Sequence, residues 1–382
     1  MTLPDGVQGT CDPRFAAVAE TLSQQLASGE HHGAAVAVRH RGEPVVDIWG
    51  GPGWAEDTMA ISFSTTKGPA AVCLHMAMER NGISYDTPVA ELWPEFGVKG
   101  KELITIRHCL CHEAGVPQIR DEIPSVDTMA DWDEMVAMME RLEPLWEPGT
   151  ANGYHAINYG WLVGELVRRI DGRPISQFLA EEVTGPLALD GCYIGTPESE
   201  HHRIAPLIAT PMPEGSPSID DFLGKDSIAA RALSPAGNMN DFLNSPAGMS
   251  TCGPAFSGAF TARSLATIYS MMERGGELNG ARLLKPETIA TATTVQNTRP
   301  DLVIMFPIGW RLGFMSGGNA LSPAGPNAEA YGHAGFGGSV GIADPTAELS
   351  LAIILDKLEI NLLGGDRISK IVNLAVEAAM KP

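Results

Sequence analysis

The sequence predicts an α+β fold, in which an antiparallel sheet flanked by helices is interrupted by an inserted, mostly helical domain. Stretches of β-type composition concentrate near the two ends of the chain. Between them, from Ser64 to about residue 250, apolar residues recur mainly at helical spacing and long Pro- and Gly-containing loops separate the segments. We therefore expect a discontinuous sheet domain, 1–63 with 255–382, a mostly helical domain, 64–254, and an active site between them.

The first elements along the chain are predicted to be a helix and a hairpin. Residues 12–28 offer Asp12 as the capping residue, Pro13 at the first helical position and apolar residues at helical spacing. The following stretch, GAAVAVRHRGEPVVDIWGG, has two β-rich runs around a polar turn centred on Gly42, which predicts a β-hairpin.

The later elements are predicted from the same two patterns, apolar residues at helical spacing and β-rich runs. In the helical block the clearest helices are DWDEMVAMMERL and YGWLVGELVRRIDG. The C-terminal part has an amphipathic helix in AFTARSLATIYSMMERGG, β-type runs at 306–314, 328–334, 338–343 and 349–356, and a last helix from Asp366 to Met380.

Composition limits the partners and the location. The 382 residues include 46 acidic and 26 basic side chains, a formal charge of -20, which repels nucleic acid and anionic lipid alike. No apolar run reaches the length of a membrane span, and the first residues lack the charge and apolar pattern of a secretory signal. The six cysteines are scattered without a C-x-x-C pair, as is typical of reduced thiols. We expect a cytoplasmic protein that binds neither nucleic acid nor membrane.

The stretch ISFSTTKGPAAV places a lysine three residues after a serine at the start of a helix. Residues three apart share a helix face, so Ser64 and Lys67 can meet, with Ser64 in the positive field of the helix N-terminus. Apolar and small flanking residues favour an enclosed lysine, whose lowered pKa would allow it to deprotonate the serine. The alternative is that Ser64 only caps the helix and Lys67 is solvated.

A second candidate nucleophile is Ser339, in GGSVG, which fits the G-x-S-x-G pattern of a strand-to-helix elbow. The following residues have β-type rather than helical character, and the last histidine of the chain, His333, precedes this serine. The elbow needs a helix and a later histidine, so we interpret Ser339 as a coincidental match in a glycine-rich turn.

Four ordered segments resemble the serine β-lactamase and penicillin-binding-protein superfamily, and within it the family VIII carboxylesterases related to class C β-lactamases. The segments are SFSTTKGPAAVCLHMAMERNGISYDTPVAELWPEF, ITIRHCLCHEAGVP, PGTANGYHAINYGWLVGELVRRIDGR and YGHAGFGGSVGIADP. The resemblance covers nearly the whole chain and implies a β-lactamase/transpeptidase-like fold.

The resemblance also implies roles for individual residues. Ser64 becomes the acylated nucleophile, Lys67 its base, and Tyr154 the tyrosine of the Y-x-N motif. The oxyanion hole is implied to consist of the backbone N–H groups of Ser64 and Phe336. Within the HAG segment, His333 and Gly335 are implied to contact the substrate. His155, beside Tyr154, either lines the pocket or points to solvent. For His333 the alternative is a strand histidine that only hydrogen-bonds within the sheet.

Two departures from the lactamase pattern decide the expected substrate. Ala156 stands where Y-x-N has its asparagine, and His333 stands where K-T-G has its lysine. Both changes remove polar groups that hold a β-lactam, and an unperturbed histidine is mostly neutral at pH 7. We expect a serine carboxylesterase that hydrolyses small neutral esters through an acyl-enzyme on Ser64. The alternatives are a β-lactamase or D-amino-acid peptidase, an acyltransferase using the same acyl-enzyme, and a non-catalytic binding protein on the same fold.

The sequence predicts neither a cofactor nor a metal. The cluster RHCLCH offers two cysteines and two histidines to a zinc ion. On a helix, however, Cys109 and Cys111 point about 200° apart and cannot share one ion. A structural role is therefore expected for this cluster.

Overall fold

The computed structural model describes residues 1–211, 223–319, 322–360 and 365–381, and its main feature is an eight-stranded antiparallel sheet. The strand order is β1-β3-β2-β14-β13-β12-β11-β10. The sheet strands are β1 (Val7–Cys11), β2 (Ala34–His40), β3 (Glu43–Gly50), β10 (Trp310–Arg311), β11 (Phe314–Ser316), β12 (Tyr331–Ala334), β13 (Val340–Asp344) and β14 (Leu349–Leu355). The predicted hairpin is confirmed as β2 and β3, and the predicted C-terminal runs supply β10 to β14.

Helices cover both faces of this sheet. The helices of the described residues are α1 (Ala16–Ser28), α2 (Lys67–Asn81), α3 (Val89–Leu92), α4 (Ile106–Leu110), α5 (Trp132–Arg141), α6 (Tyr159–Asp171), α7 (Ile175–Leu179), α8 (Ile228–Leu233), α9 (Met239–Leu243), α10 (Pro246–Ser250), α11 (Ala262–Glu273), α12 (Pro286–Ala292) and α13 (Gly365–Met380). Helix α11 packs on the face of β13 that carries Gly341, and α13 lies on the opposite face, which carries Ile342. Because both faces are covered, β14 is buried along its whole length.

The middle block contains short strands as well as helices. Strands β4 (Ala60–Ile61), β5 (Cys192–Ile194) and β7 (Gly258–Phe260) form a three-stranded sheet, and β6 (Ile208–Ala209) pairs with β15 (Lys357–Leu358). A hairpin of β8 (Glu277–Leu278) and β9 (Ala281–Arg282) follows α11. Pairing of β5 and β6 with strands outside 64–254 joins the two predicted domains closely.

The N-terminal segment differs from its prediction in two ways. Residues Val7–Cys11 form an edge strand that the sequence did not indicate, and α1 begins at Ala16 instead of near residue 13. Asp12 caps as expected, accepting a hydrogen bond from the backbone N–H of Arg14 at 2.9 Å. It caps a 3₁₀ turn, Pro13–Phe15, that precedes the helix.

None of the described helices is both long and apolar enough to cross a membrane.

Candidate active site

The nucleophile candidate lies in an otherwise buried stretch. Ser64 belongs to a 3₁₀ turn, Phe63–Thr66, that leads directly into α2. From Thr58 to Met78 every residue except Ser64 is buried, and Ser64 is partly exposed. The fold therefore gives a substrate access to this hydroxyl and to no neighbouring side chain of the same segment.

Strand β7 fixes the turn that carries Ser64. The carbonyl of Gly258 accepts hydrogen bonds from the backbone N–H of Ser62 at 2.9 Å and from its hydroxyl at 3.1 Å. The N–H of Gly258 donates to Thr66 Oγ1 at 2.9 Å. Phe63 has φ +49°, a left-handed conformation that costs free energy in a non-glycine residue. These bonds hold the strained residue directly before Ser64.

Lys67 meets Ser64 as the helical spacing predicted. Lys67 Nζ lies 3.0 Å from Ser64 Oγ, 2.7 Å from the carbonyl oxygen of Ala156 and 3.1 Å from that of Ala255. The side chain is fully buried, and no carboxylate accompanies it among these contacts. Burial lowers the pKa of the Lys67 ammonium well below its ordinary value.

The three contacts of Lys67 Nζ can be made by the ammonium, which donates to Ser64 Oγ, and by the neutral amine, which accepts from it. Carbonyl oxygens only accept hydrogen bonds, so Ala156 and Ala255 take up the two N–H groups of a neutral amine. The remaining lone pair then faces the hydroxyl of Ser64. In this state the amine can accept the proton of Ser64, which is the arrangement needed to activate a serine nucleophile.

Tyr154 completes the cluster and belongs to the same predicted domain, 64–254, as Ser64 and Lys67. Lys67 Nζ lies 4.8 Å from the centre of the Tyr154 ring, and the Ser64 side chain is near enough to the Tyr154 hydroxyl to lower the phenol pKa against the larger effect of burial. Trp310 stacks on the ring with centroids 5.6 Å apart and planes at 11°. Burial raises the pKa of Tyr154 above its ordinary value, so at neutral pH the side chain is a phenol that can donate a proton.

His112 and Asp301 hold the backbone around Tyr154; His112 was considered only as part of the RHCLCH cluster, and Asp301 was not considered. His112 accepts at its carbonyl from the N–H of Gly153, at 3.0 Å, and at Nδ1 from the N–H of His155, at 3.1 Å. The carboxylate of Asp301 accepts from the N–H of Tyr154 itself at 3.0 Å. Three successive amides are thereby fixed. His112 lies within a segment quoted for the resemblance, whereas no local pattern points to Asp301.

The turn after β12 lies against the nucleophile turn. A Cβ atom added to Gly335 would lie 1.9 Å from the carbonyl oxygen of Ser62, so only glycine allows this approach. The rings of Phe63 and Phe336 meet edge to face with centroids 5.6 Å apart. The N–H and carbonyl of Gly335 are both used inside its own turn, by Ser339 and Gly338. We therefore explain Gly335 by close packing, not by a contact of its polar groups with substrate.

The predicted oxyanion donors are available. Within the described part of the chain, the backbone N–H of Phe336 has no hydrogen-bond partner. The N–H of Ser64 belongs to the first turn of a helical segment, where such groups lack partners within the helix. Two free donors on adjacent turns can hold the negative charge of a carbonyl oxygen under attack by Ser64 Oγ.

His333 is buried on β12 beside Tyr154, with ring centroids 6.0 Å apart. Its Nδ1 donates to the carbonyl of Ala334 at 2.7 Å, while Nε2 has no partner among the described residues. Burial, and secondarily the neighbouring Lys67, lowers the pKa of His333 to about 3. The ring is neutral at working pH, so the position that carries a lysine in K-T-G carries no positive charge here.

His155 is fully buried, and both of its ring nitrogens bind the protein backbone. Nδ1 donates to the carbonyl of Gly153 at 2.8 Å, and Nε2 accepts from the N–H of Val116 at 3.1 Å. No ring nitrogen remains for a substrate. We therefore assign His155 to the scaffold of the site instead of the pocket lining expected from the sequence.

The two rejected sequence motifs have structural roles. Ser339 is buried and strand β13, not a helix, follows it, so the interpretation of GGSVG as a turn is confirmed. In RHCLCH, the backbone N–H of His108 donates to Thr105 Oγ1, and Nδ1 of the His108 ring accepts from the backbone N–H of Thr105. These two reciprocal bonds cap the N-terminus of α4. Across the described ranges, no group of three or more histidine, cysteine or acidic side chains is arranged to hold a metal ion.

Comparison with known proteins identifies the family of the chain. Residues 18–368 match the family described as Beta-lactamase. Esterase/beta-lactamase LipL of Mycobacterium tuberculosis is 32% identical over 373 residues, covering 92% of this chain and 83% of LipL. A crystal structure of a family VIII carboxylesterase has a TM-score of 0.88 and 33% identity, covering 97% of this chain and 99% of that one.

A penicillin-binding protein homologue from Caulobacter crescentus has a TM-score of 0.85 and 35% identity, and the match covers 97% of this chain and 99% of the homologue. The predicted β-lactamase/transpeptidase-like fold and the prediction of an enzyme of this superfamily are confirmed. The chain belongs to the β-lactamase family.

Proposed function

We propose that this protein hydrolyses small neutral carboxylic esters through an acyl-enzyme on Ser64. The observation that carries the proposal is the 3.0 Å contact between Ser64 Oγ and Lys67 Nζ, made where the amine is fully buried and its N–H groups are taken by two carbonyls. A serine hydroxyl at that distance from a neutral amine can lose its proton as it attacks.

In the first half of the reaction, Lys67 accepts the proton of Ser64 as Oγ bonds to the ester carbonyl carbon. The N–H groups of Ser64 and Phe336 stabilise the oxyanion. When the bond to the alcohol oxygen breaks, the phenol of Tyr154 donates its proton to that oxygen. Lys67 then returns a proton to Tyr154, so the alcohol leaves neutral and the acyl group remains on Ser64.

In the second half, water attacks the acyl carbonyl and gives up a proton to the Lys67 and Tyr154 pair. The same two backbone donors stabilise the second oxyanion. Collapse of that intermediate breaks the bond to Ser64 Oγ, which regains its proton, and the carboxylic acid leaves. The protein returns to its starting protonation state in every group.

Three features favour a neutral substrate over an anionic β-lactam. His333 is neutral at the position of the K-T-G lysine, Ala156 lacks the amide of Y-x-N, and the whole chain carries a formal charge of -20. The neutral His333 and the negative net charge weaken the attraction for a substrate carboxylate, and Ala156 removes a hydrogen-bonding group for the amide side chain of a β-lactam. β-Lactam hydrolysis is the second candidate because LipL, at 32% identity, bears the name esterase/beta-lactamase.

We also propose a cytoplasmic location. All six cysteines are free thiols, five of them buried, which fits a compartment where thiols stay reduced.

The ratio of kcat/KM for a short-chain p-nitrophenyl ester to that for a chromogenic cephalosporin tests the substrate class. We expect the ester to be favoured by about 10²-fold or more, because the groups that would hold the lactam's carboxylate and amide are absent. Ser64→Ala is the control, and it should abolish both activities. A ratio near or below unity would mean that Ala156 and His333 do not exclude lactams, and β-lactam hydrolysis would replace the proposal.

A further inference from the structure

Asp301 is a buried carboxylate on a segment that approaches the site from the opposite predicted domain. It is 2% exposed and lies between α12 and β10. Oδ1 accepts hydrogen bonds from the N–H groups of Val303, at 2.8 Å, and Ile304, at 3.0 Å. These two bonds make Asp301 the organiser of its own turn, in the way that aspartates commonly stabilise loops.

The same carboxylate also reaches across to the segment that carries Tyr154. Oδ1 accepts from the backbone N–H of Tyr154 at 3.0 Å, and Oδ2 accepts from Asn152 Nδ2 at 3.1 Å. The N–H of Leu302 donates to the carbonyl of Asn152 at 3.0 Å, which adds a third bond between the two segments. Burial strengthens hydrogen bonds to a charged acceptor and makes their loss costly.

We propose that Asp301 is a positioning residue for Tyr154, whose backbone it fixes so that the phenol hydroxyl meets Ser64 in the productive direction. This inference rests on the proposed function, in which Tyr154 transfers protons at Ser64. Proton transfer depends on sub-ångström placement of the donor, so releasing the backbone of Tyr154 should slow the reaction without weakening substrate binding.

Asp344 provides a matched control. It is also fully buried and accepts from the backbone N–H groups two and three residues later, Thr346 at 3.1 Å and Ala347 at 3.2 Å. Its Oδ2 accepts from an asparagine amide, Asn327 Nδ2, at 2.8 Å. Asp344 thus repeats every contact type of Asp301 except the bond to Tyr154.

A double-mutant cycle tests the proposal. We expect Asp301→Ala to lower kcat for p-nitrophenyl acetate about tenfold, with KM within about twofold of wild type. In a Tyr154→Phe background the same change should lower kcat by no more than about twofold, because the group through which it acts is already gone. Asp344→Ala should leave kcat within about twofold of wild type, even if it lowers the melting temperature as much as Asp301→Ala does.

Asp301→Asn is the conservative variant that separates positioning from general loss of stability. Its side-chain oxygen can still accept from Tyr154, and the amide of Asn152, whose Oδ1 has no partner among the described residues, can turn to accept from the new NH₂ group. We therefore expect kcat to recover to within about threefold of wild type.

The rate at which a fluorophosphonate labels Ser64 gives a second readout that needs no ester substrate. Labelling should slow about tenfold in Asp301→Ala and recover in Asp301→Asn. If wild type labels but hydrolyses no ester, the proposed function fails and the labelling rates alone decide on Asp301. The positioning role would be overturned if Asp301→Ala lowered kcat equally in wild type and in the Tyr154→Phe variant. It would also be overturned if Asp344→Ala lowered kcat as much as Asp301→Ala does.

Discussion

Lys67→Met is expected to lower kcat/KM for a p-nitrophenyl ester by about 10³-fold, because methionine fills the buried space but accepts no proton from Ser64. The wild-type rate should rise with pH as the Lys67 ammonium loses its proton. Burial lowers the pKa of Lys67, so this rise should be complete well below the ordinary lysine pKa of about 10.4. In Lys67→Met the same limb of the pH profile should be absent.

The measurement is the pH dependence of kcat/KM for both proteins, with thermal unfolding to show that the variant is folded. A variant that is folded and retains the wild-type limb would show that another group is the base. A wild-type limb at the ordinary lysine pKa would show that Lys67 is not desolvated during turnover.

Tyr154→Phe is expected to lower kcat about 10²-fold while KM changes little. The ring keeps its packing against Trp310 and His112, whereas the proton donor next to Ser64 is lost. Losing one neutral hydroxyl beside another is expected to change the free energy of unfolding by about 1 kcal/mol. Steady-state kinetics and thermal unfolding measure the two effects separately.

Tyr331→Phe is the matched control for this change. Tyr331 is also a buried phenol, and its hydroxyl has no hydrogen-bond partner among the residues that the structure describes. Its removal should leave kcat within about twofold of wild type. If Tyr154→Phe also keeps full kcat, the phenol does not transfer the proton to the leaving alcohol, and Lys67 must serve both steps.

Those parts of the site that depend on local spacing were predictable from the sequence. Ser64 and Lys67 meet because three residues make almost one helical turn, and the β2–β3 hairpin forms because two β-rich runs flank one polar turn. The edge strand Val7–Cys11 was missed because only its two end residues are buried, so it shows no alternating apolar pattern.

The parts that depend on distant pairs were not predictable. Asp301 is 147 residues from Tyr154 in sequence, and neither residue carries a local signal of their bond. His155 was expected to line the pocket because it adjoins Tyr154, but its ring binds Val116 and Gly153. Adjacent residues of an irregular segment point in different directions, and only the packed structure decides which one reaches the substrate.

During turnover, Ser64 is expected to carry the acyl group. Intact-protein mass spectrometry of enzyme quenched in acid while it hydrolyses a p-nitrophenyl ester tests this most directly, with peptide mapping to locate the adduct. We expect a mass increase of one acyl group, placed on Ser64 and absent in Ser64→Ala. Rapid ester hydrolysis by a Ser64→Ala variant, or an acyl group mapped to another residue, would contradict it.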